Sequence, residues 1–251
     1  MSTTQVVIVG GHGKVALRLS KLLANDGKHT VTSIIRTPDH IPDLKAASPA
    51  IQPLILSLED DSVSDFAKVF TGKDVVVFAA GSAGIGGLER LIKVDAEGAI
   101  KVFDAIEAVE GAKKPRLVLV GTTDSRDHKA APPPHYDEGD LEMTKSNYEK
   151  IGPYLDAKYM ADKNLAQRTA FKWTTVRPGW YTDEPGTGKA TIGRTHLGPS
   201  ISRDDVALAL SILVDREDAG GLAVDIVGGG EKTIAEGLDA FIAKGESDFL
   251  G

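Results

Sequence analysis

A phenol and an ammonium stand four residues apart in Tyr154-Leu155-Asp156-Ala157-Lys158. On a helix that spacing turns both side chains to one face. A tyrosine with its ordinary pKa of about 10 is a poor acid-base group at neutral pH, and a neighbouring cation is expected to stabilise the phenolate and lower that value. Such a pair can donate a proton to a carbonyl oxygen as hydride reaches the carbonyl carbon. The same spacing also occurs on solvated helix surfaces, so its surroundings decide. Thr122 and Thr123 follow the apolar run Leu117 to Val120, at a strand end of the kind where ligands of open α/β sheets gather. Either hydroxyl can bind a substrate carbonyl, with Thr123 slightly favoured. Turns and caps are the ordinary use of such hydroxyls.

Hydride needs a carrier, and Gly10-Gly11-His12-Gly13-Lys14-Val15-Ala16 has the composition to hold one. It follows an apolar run and opens a helical pattern, the context that gives a glycine motif meaning. Two registers fit: GxGxxA from Gly11 and GxxGxxA from Gly10. In both, glycines let the backbone approach a pyrophosphate, Ala16 lets the helix pack on the strand, and the helix N-terminus offers N–H groups to the anion. A tight turn without a ligand is the alternative. His12, inside the turn, either touches phosphate or faces solvent. An NAD-binding protein is expected to end its second strand in Asp or Glu, about 20 residues on. Here the run ends Ile34-Ile35-Arg36-Thr37. A guanidinium at that place pairs with a 2'-phosphate and favours NADP by roughly ten- to a hundredfold, from a charged hydrogen bond of about 1.5 to 3 kcal/mol. A solvated surface arginine is the alternative.

The elements that must position these groups follow from periodicity. Strands are predicted over Val6 to Val9, Thr30 to Ile35, Gln52 to Leu56, Val75 to Ala80, Leu117 to Val120, Trp173 to Val176 and Leu222 to Val227. The continuous apolar runs suit strands covered on both faces. Helical periodicity fills Lys14 to Ala24 and Leu88 to Val109, and a helix is expected to begin at Pro153 and run to about Thr169. Another starts at Ser202, with Asp205 at capping-box spacing. The alternation implies an α/β fold: a Rossmann-type doubly wound parallel sheet with helices on both faces, in a single domain over residues 1–251. Two stretches, 123–146 and 179–200, read as long substrate-side loops.

Composition narrows the partners. Hydrophobic residues make up 41% and charged residues 26% of 251 residues, as in soluble globular chains. A net charge of −7, from 29 basic and 36 acidic residues, argues against a nucleic-acid partner. With no cysteine there is no disulfide or thiolate metal site. The polar start from Met1 to Gln5 and the absence of a long apolar run imply no signal peptide, no membrane span and a cytoplasmic location. His12, His128, His135 and His196 lack ligand spacing, so no metal is assigned. Arg194, His196 and Arg203 can hold a polar or anionic substrate, although solvated loop charges are the simpler reading. Trp180 and Tyr181 can wall a pocket or pack in the core. A monomer and a homodimer remain open.

Taken in order along the chain, these pieces resemble the short-chain dehydrogenase/reductase superfamily, and within it the atypical NmrA-like and sugar-epimerase-like branch. The resemblance rests on the glycine turn, Phe78 to Ser82, Val94 to Ala99, Tyr154 to Lys158 with Ala161-Asp162, Val176 to Trp180 and Ser202 to Ala207. It implies that Ala79, Ala80 and Gly81 line the adenine-ribose side and that Tyr154 and Lys158 are catalytic and ribose-binding. It also implies that the backbone at Pro178, Gly179 and Trp180 lies against a nicotinamide. The family's usual serine stands here as Thr122 or Thr123, and a position often held by Asn is Asp95. The expectation is an NADPH-dependent reductase of a small carbonyl compound. An epimerase-like enzyme with a tightly held cofactor and a non-catalytic NADP sensor are the rivals.

Overall fold

The computed structural model describes residues 3–82, 86–111 and 113–249. Met1 and Ser2 of the polar start lie outside the described residues. In chain order the elements are β1 (Thr4–Val9), α1 (Lys14–Ala24), β2 (His29–Ile35), α2 (Ile41–Ala47), β3 (Gln52–Ile55), α3 (Val63–Phe70), β4 (Val75–Phe78) and α4 (Gly87–Leu91). A π-helical stretch, Ile92–Glu97, joins α4 to α5 (Gly98–Ala108). Then come β5 (Arg116–Val120), α6 (Glu138–Ala166), β6 (Trp173–Pro178), β7 (Tyr181–Thr182), β8 (Thr191–Ile192), β9 (Ile201–Ser202), α7 (Arg203–Val214), β10 (Leu222–Val227) and α8 (Ile234–Lys244).

The main sheet runs β3-β2-β1-β4-β5-β6-β10-β8. All neighbours pair in parallel except β8, which runs antiparallel to β10 at the edge. Alternate strand residues feed two cores. Val6, Ile8, Val77 and Val118 pack with α1, α7 and α8, whereas Val7, Val9, Phe78 and Leu119 pack with α3 and α5. This is the expected doubly wound Rossmann-type domain. Strand order reverses between β1 and β4, and ligands of such sheets bind at that crevice.

Two expectations are corrected. The stretch 123–146 is irregular only up to Asp137, because Asp137 and Asp140 form a reciprocal capping box that starts α6 at Glu138. α6 then kinks at Ile151 (φ −133°, ψ 23°), just before Gly152-Pro153, since proline lacks an N–H and its ring clashes with the carbonyl a turn earlier. The stretch 179–200 carries the edge strand β8, and β7 within it pairs in parallel with β9. At α7, Ser202 caps the N–H of Asp204, while the Asp205 carboxylate accepts from the N–H groups of Thr187 and Gly188. Asp205 therefore pins the second loop instead of closing a capping box.

Candidate active site

A cavity of about 1150 Å³ opens along the carboxyl ends of β1, β2, β4 and β5. It is roomier than the ~300 to 1,000 Å³ of ordinary small-molecule sites. The glycine turn forms one wall. Gly10 has φ +83°, and a Cβ there would fall 2.5 Å from Ala80 Cα. Gly13 is the N-cap of α1, with no side chain capping the first turn and no acidic residue in it. Ala16, which ends both registers of the motif, is buried under the helix. Gly11 is buried against Ser33 and does not line the cavity. Lys14 and Val15 do, Lys14 pairing with Asp183 at 2.8 Å.

The end of β2 forms a basic corner. Arg36 Nη1 lies 3.0 Å from Glu59 Oε2, and Arg90 of α4 lies 3.2 Å from the other oxygen of the same carboxylate. Burial raises the Glu59 carboxyl, but the hydrogen bonds from Arg90 and Arg36 outweigh it and hold the group below its usual range. His12 stacks on His40, with ring centroids 3.7 Å apart and planes 6° from parallel.

At the other end, Tyr154, Lys158, Thr122 and Thr123 all line the cavity. The Thr122 side chain lies near enough to the Tyr154 hydroxyl to favour its ionised form. Thr123 instead commits its N–H to Pro178 O at 3.0 Å. That contact holds Pro178 below the surface, while Gly179, Trp180 and Tyr181 reach the cavity. Lys158 Nζ lies 3.3 Å from Asp95 Oδ1 and donates to Val120 O at 3.4 Å. It stands 5.6 Å from the centre of the Tyr154 ring.

The expected lowering of the Tyr154 pKa is not found. Burial pushes the phenol up, the charges of Asp95 and Asp162 push the same way, and only the nearby Thr122 side chain opposes them. Lys158 is neutralised by Asp95, so its charge does not act on the phenol alone. Burial thus keeps the proton on Tyr154. Asp95 sits in the π-helical stretch, a distortion frequent at functional sites, and its Oδ2 accepts the Ser82 N–H at 2.8 Å. Ala79, Ala80 and Gly81, between β4 and this contact, line the cavity as expected.

A buried ion pair braces the floor. Arg177 Nε is 3.0 Å from Asp225 and donates to Thr122 O at 3.3 Å. Burial pushes the Asp225 carboxyl up against the pull of Arg177. Of the loop charges singled out in the sequence, Arg203 reaches the cavity, its guanidinium 4.9 Å over the Tyr181 ring. Arg194 lines a separate cavity beside β8, and His196 Nδ1 bonds Asp140 at 2.6 Å. Asp137, Asp140 and His196 have metal-ligand proximity, yet the two carboxylates are engaged by the helix cap, Leu197 N–H and His196.

Together these features suit a dinucleotide. An uncapped helix start faces the cavity beside glycines that leave no room for a Cβ, and cations stand at both ends. Among the described residues, His40 Nδ1 and Ser82 Oγ are buried atoms without hydrogen-bond partners, on residues that line the cavity. Residues 10–217 match the model of a family described as NAD(P)H-binding. The chain belongs to that family. It is 36% identical to the UPF0659 protein C216.03 of Schizosaccharomyces pombe, covering 98% of both chains. It is 29% identical to the uncharacterized sugar epimerase YhfK of Bacillus subtilis over 93% of this chain and 98% of that one. Among solved structures, a provisionally assigned NAD-dependent epimerase/dehydratase of Bacillus halodurans is 30% identical, with TM-score 0.76 over 94% of this chain and 99% of that one. The oxidoreductase ylbE of Lactococcus lactis shares the fold at TM-score 0.78 and 23% identity, covering 96% and 97%. The expected kinship with NAD(P)-binding, epimerase-like proteins is borne out.

Sequence reasoning missed Glu59, Arg90 and His40. Glu59 follows β3, a strand end where a search limited to the second strand does not look. Arg90 and His40 sit on short helical turns whose orientation no periodicity reveals.

Proposed function

We propose that the protein is an NADPH-dependent reductase of a small carbonyl compound. The observation that carries this reading is the convergence of Tyr154 and Thr122 on one cavity, with the buried Lys158–Asp95 pair beside the phenol. When bound, the dinucleotide supplies hydride. Gly10, Gly13 and the start of α1 would hold its pyrophosphate, Arg36 its 2'-phosphate, and Lys158 its ribose. Tyr154 donates a proton to the substrate oxygen, and Thr122 orients that oxygen through its hydroxyl. Arg177 holds the Thr122 carbonyl, which keeps the hydroxyl in place.

The substrate end of the cavity supports a compact, largely apolar carbonyl. Leu88 and Leu91 of α4 and Ile151 at the α6 kink line the cavity, as does Trp180, with 49% of its surface exposed. Asn147 and Lys150 are the polar groups on that part of α6. A sugar nucleotide would need more hydroxyl-binding side chains than this wall offers, so the epimerase reading ranks second.

Incubating the purified protein with NADPH and a panel of carbonyl compounds tests the proposal. Oxidation of NADPH with at least one compound, abolished in Tyr154→Phe, is the expected result. Undiminished turnover in that variant overturns the assignment. Cofactor retained through purification, with interconversion of a substrate and no net oxidation, favours the epimerase reading instead. Binding of NADPH with no turnover across the panel favours the sensor.

A further inference from the structure

His40 ends the 3₁₀ turn Pro38–His40 that follows β2, four residues beyond Arg36, and both side chains line the cavity. Its ring lies flat against His12, which is held from two sides: by its place in the glycine turn and by a 2.7 Å contact between Nε2 and Asp43 Oδ2. Among the described residues no hydrogen bond reaches either His40 ring nitrogen, and Nδ1 is buried. Nδ1 is closed off, which leaves Nε2 as the ring nitrogen open to a ligand in the cavity.

We propose that His40 reads the 2'-phosphate of NADP together with Arg36, with the His12 ring as its fixed backing. This rests on the NADP reading above. Around His40 stand Arg36 and His12, which disfavour its protonation, and the carboxylates Asp39 and Asp43, which favour it. The nearby Glu59 carboxylate is engaged by Arg36 and Arg90. Burial, then His12 and Arg36, hold His40 below its ordinary value, so the ring is neutral at pH 7 in the free protein. A phosphate dianion at this corner reverses the balance and draws a proton onto the ring. Recognition of NADPH, and not of NADH, is then coupled to proton uptake.

The test is the dissociation constant of NADPH and of NADH, read by their fluorescence, for the unmutated protein, His40→Gln and His40→Phe at about pH 6 and pH 8. His40→Phe keeps the stack on His12 and removes the nitrogens. Both variants are expected to bind NADPH about tenfold more weakly at pH 6, and within about twofold of the unmutated protein at pH 8. NADH affinity stays unchanged at both. The second ionisation of the free cofactor's phosphate, near pH ~6, is common to all three proteins and cancels in their ratio. Unchanged NADPH affinity in the variants at pH 6, with the unmutated protein still preferring NADPH, overturns the role of His40 and leaves the NADP reading standing. Equal affinity of the unmutated protein for both cofactors removes that reading and this inference with it. A parallel loss of NADH affinity shows that the ring only props the glycine turn, which also overturns the proposal.

Discussion

Lys158 and Asp95 form a buried ion pair, with Nζ 3.3 Å from Oδ1. The pair joins α6 to the π-helical stretch that follows α4, and it sets the charge beneath Tyr154. A lysine alone would pull the phenol down. A lysine already paired leaves burial in command, and burial keeps the proton on.

Neutralising Asp95 therefore lowers the Tyr154 pKa. Asp95→Asn removes a carboxylate that raises the phenol and leaves the Lys158 charge uncompensated. Ultraviolet titration of tyrosinate, with Tyr154→Phe as the background to subtract, is expected to move by about one unit or more toward neutrality. The same variant should lose roughly 2 to 4 kcal/mol of stability, since a buried cation without its partner is costly. An unmoved titration refutes the electrostatic account.

Tyr154→Phe should lower kcat by about a hundred- to ten-thousandfold, the usual contribution of a positioned acid. NADPH affinity should stay within a few fold, because the phenol is assigned to the substrate. Thr122→Val should act in the same direction more mildly, and Thr123→Val less than Thr122→Val. Steady-state kinetics beside a binding isotherm separates these effects.

Arg36→Ala should weaken NADPH binding about ten- to a hundredfold with NADH affinity unaltered. The substitution also frees Glu59 from one of its two arginines, so the Glu59 carboxyl should rise toward its ordinary value. Direct titration calorimetry with both cofactors checks the first point. Equal losses for the two would show that Arg36 supports the fold and not the phosphate.

The contact between His196 and Asp140 links the second loop to the start of α6. Its hydrogen bond to Asp140 raises the His196 pKa above its ordinary value. A histidine raised on folding contributes stability that is fully present below its unfolded value of about 6.5 and fades as pH climbs through the folded value. The ring is 59% exposed, so the increment is that of a solvated pair, about 0.2 to 1 kcal/mol. His196→Gln should lower the melting temperature at pH 5.5 and leave it unchanged at pH 9.

Gly10→Ala should cost roughly 2 to 4 kcal/mol, from a strained left-handed backbone and a methyl driven into Ala80. Chemical denaturation measures it. A fold that tolerates alanine there would mean that the β1–α1 turn relaxes.

Much of the fold was legible in the chain because local pattern dictates it. β-Branched apolar runs alternate with helical periodicity, and α1 and β10 begin and end where that pattern says. The short helices α3 and α8 were passed over although their capping boxes, Ser62 with Asp65 and Thr233 with Glu236, are written in the residues. The start of α6 was hidden for another reason. Charged residues around Pro132-Pro133-Pro134 mask a helix whose first turn is fixed by Asp137, Asp140 and a distant His196.

By itself, then, the sequence determined the glycine turn, the parallel sheet and the Tyr154–Lys158 spacing, all properties of residues within a few turns of each other. The tertiary structure alone decided that Asp95 claims Lys158 beside Tyr154 and that Glu59 gathers Arg36 and Arg90. Those contacts join segments that no local period relates. Their electrostatics depend on burial, which exists only once the sheet and its helices have closed around them.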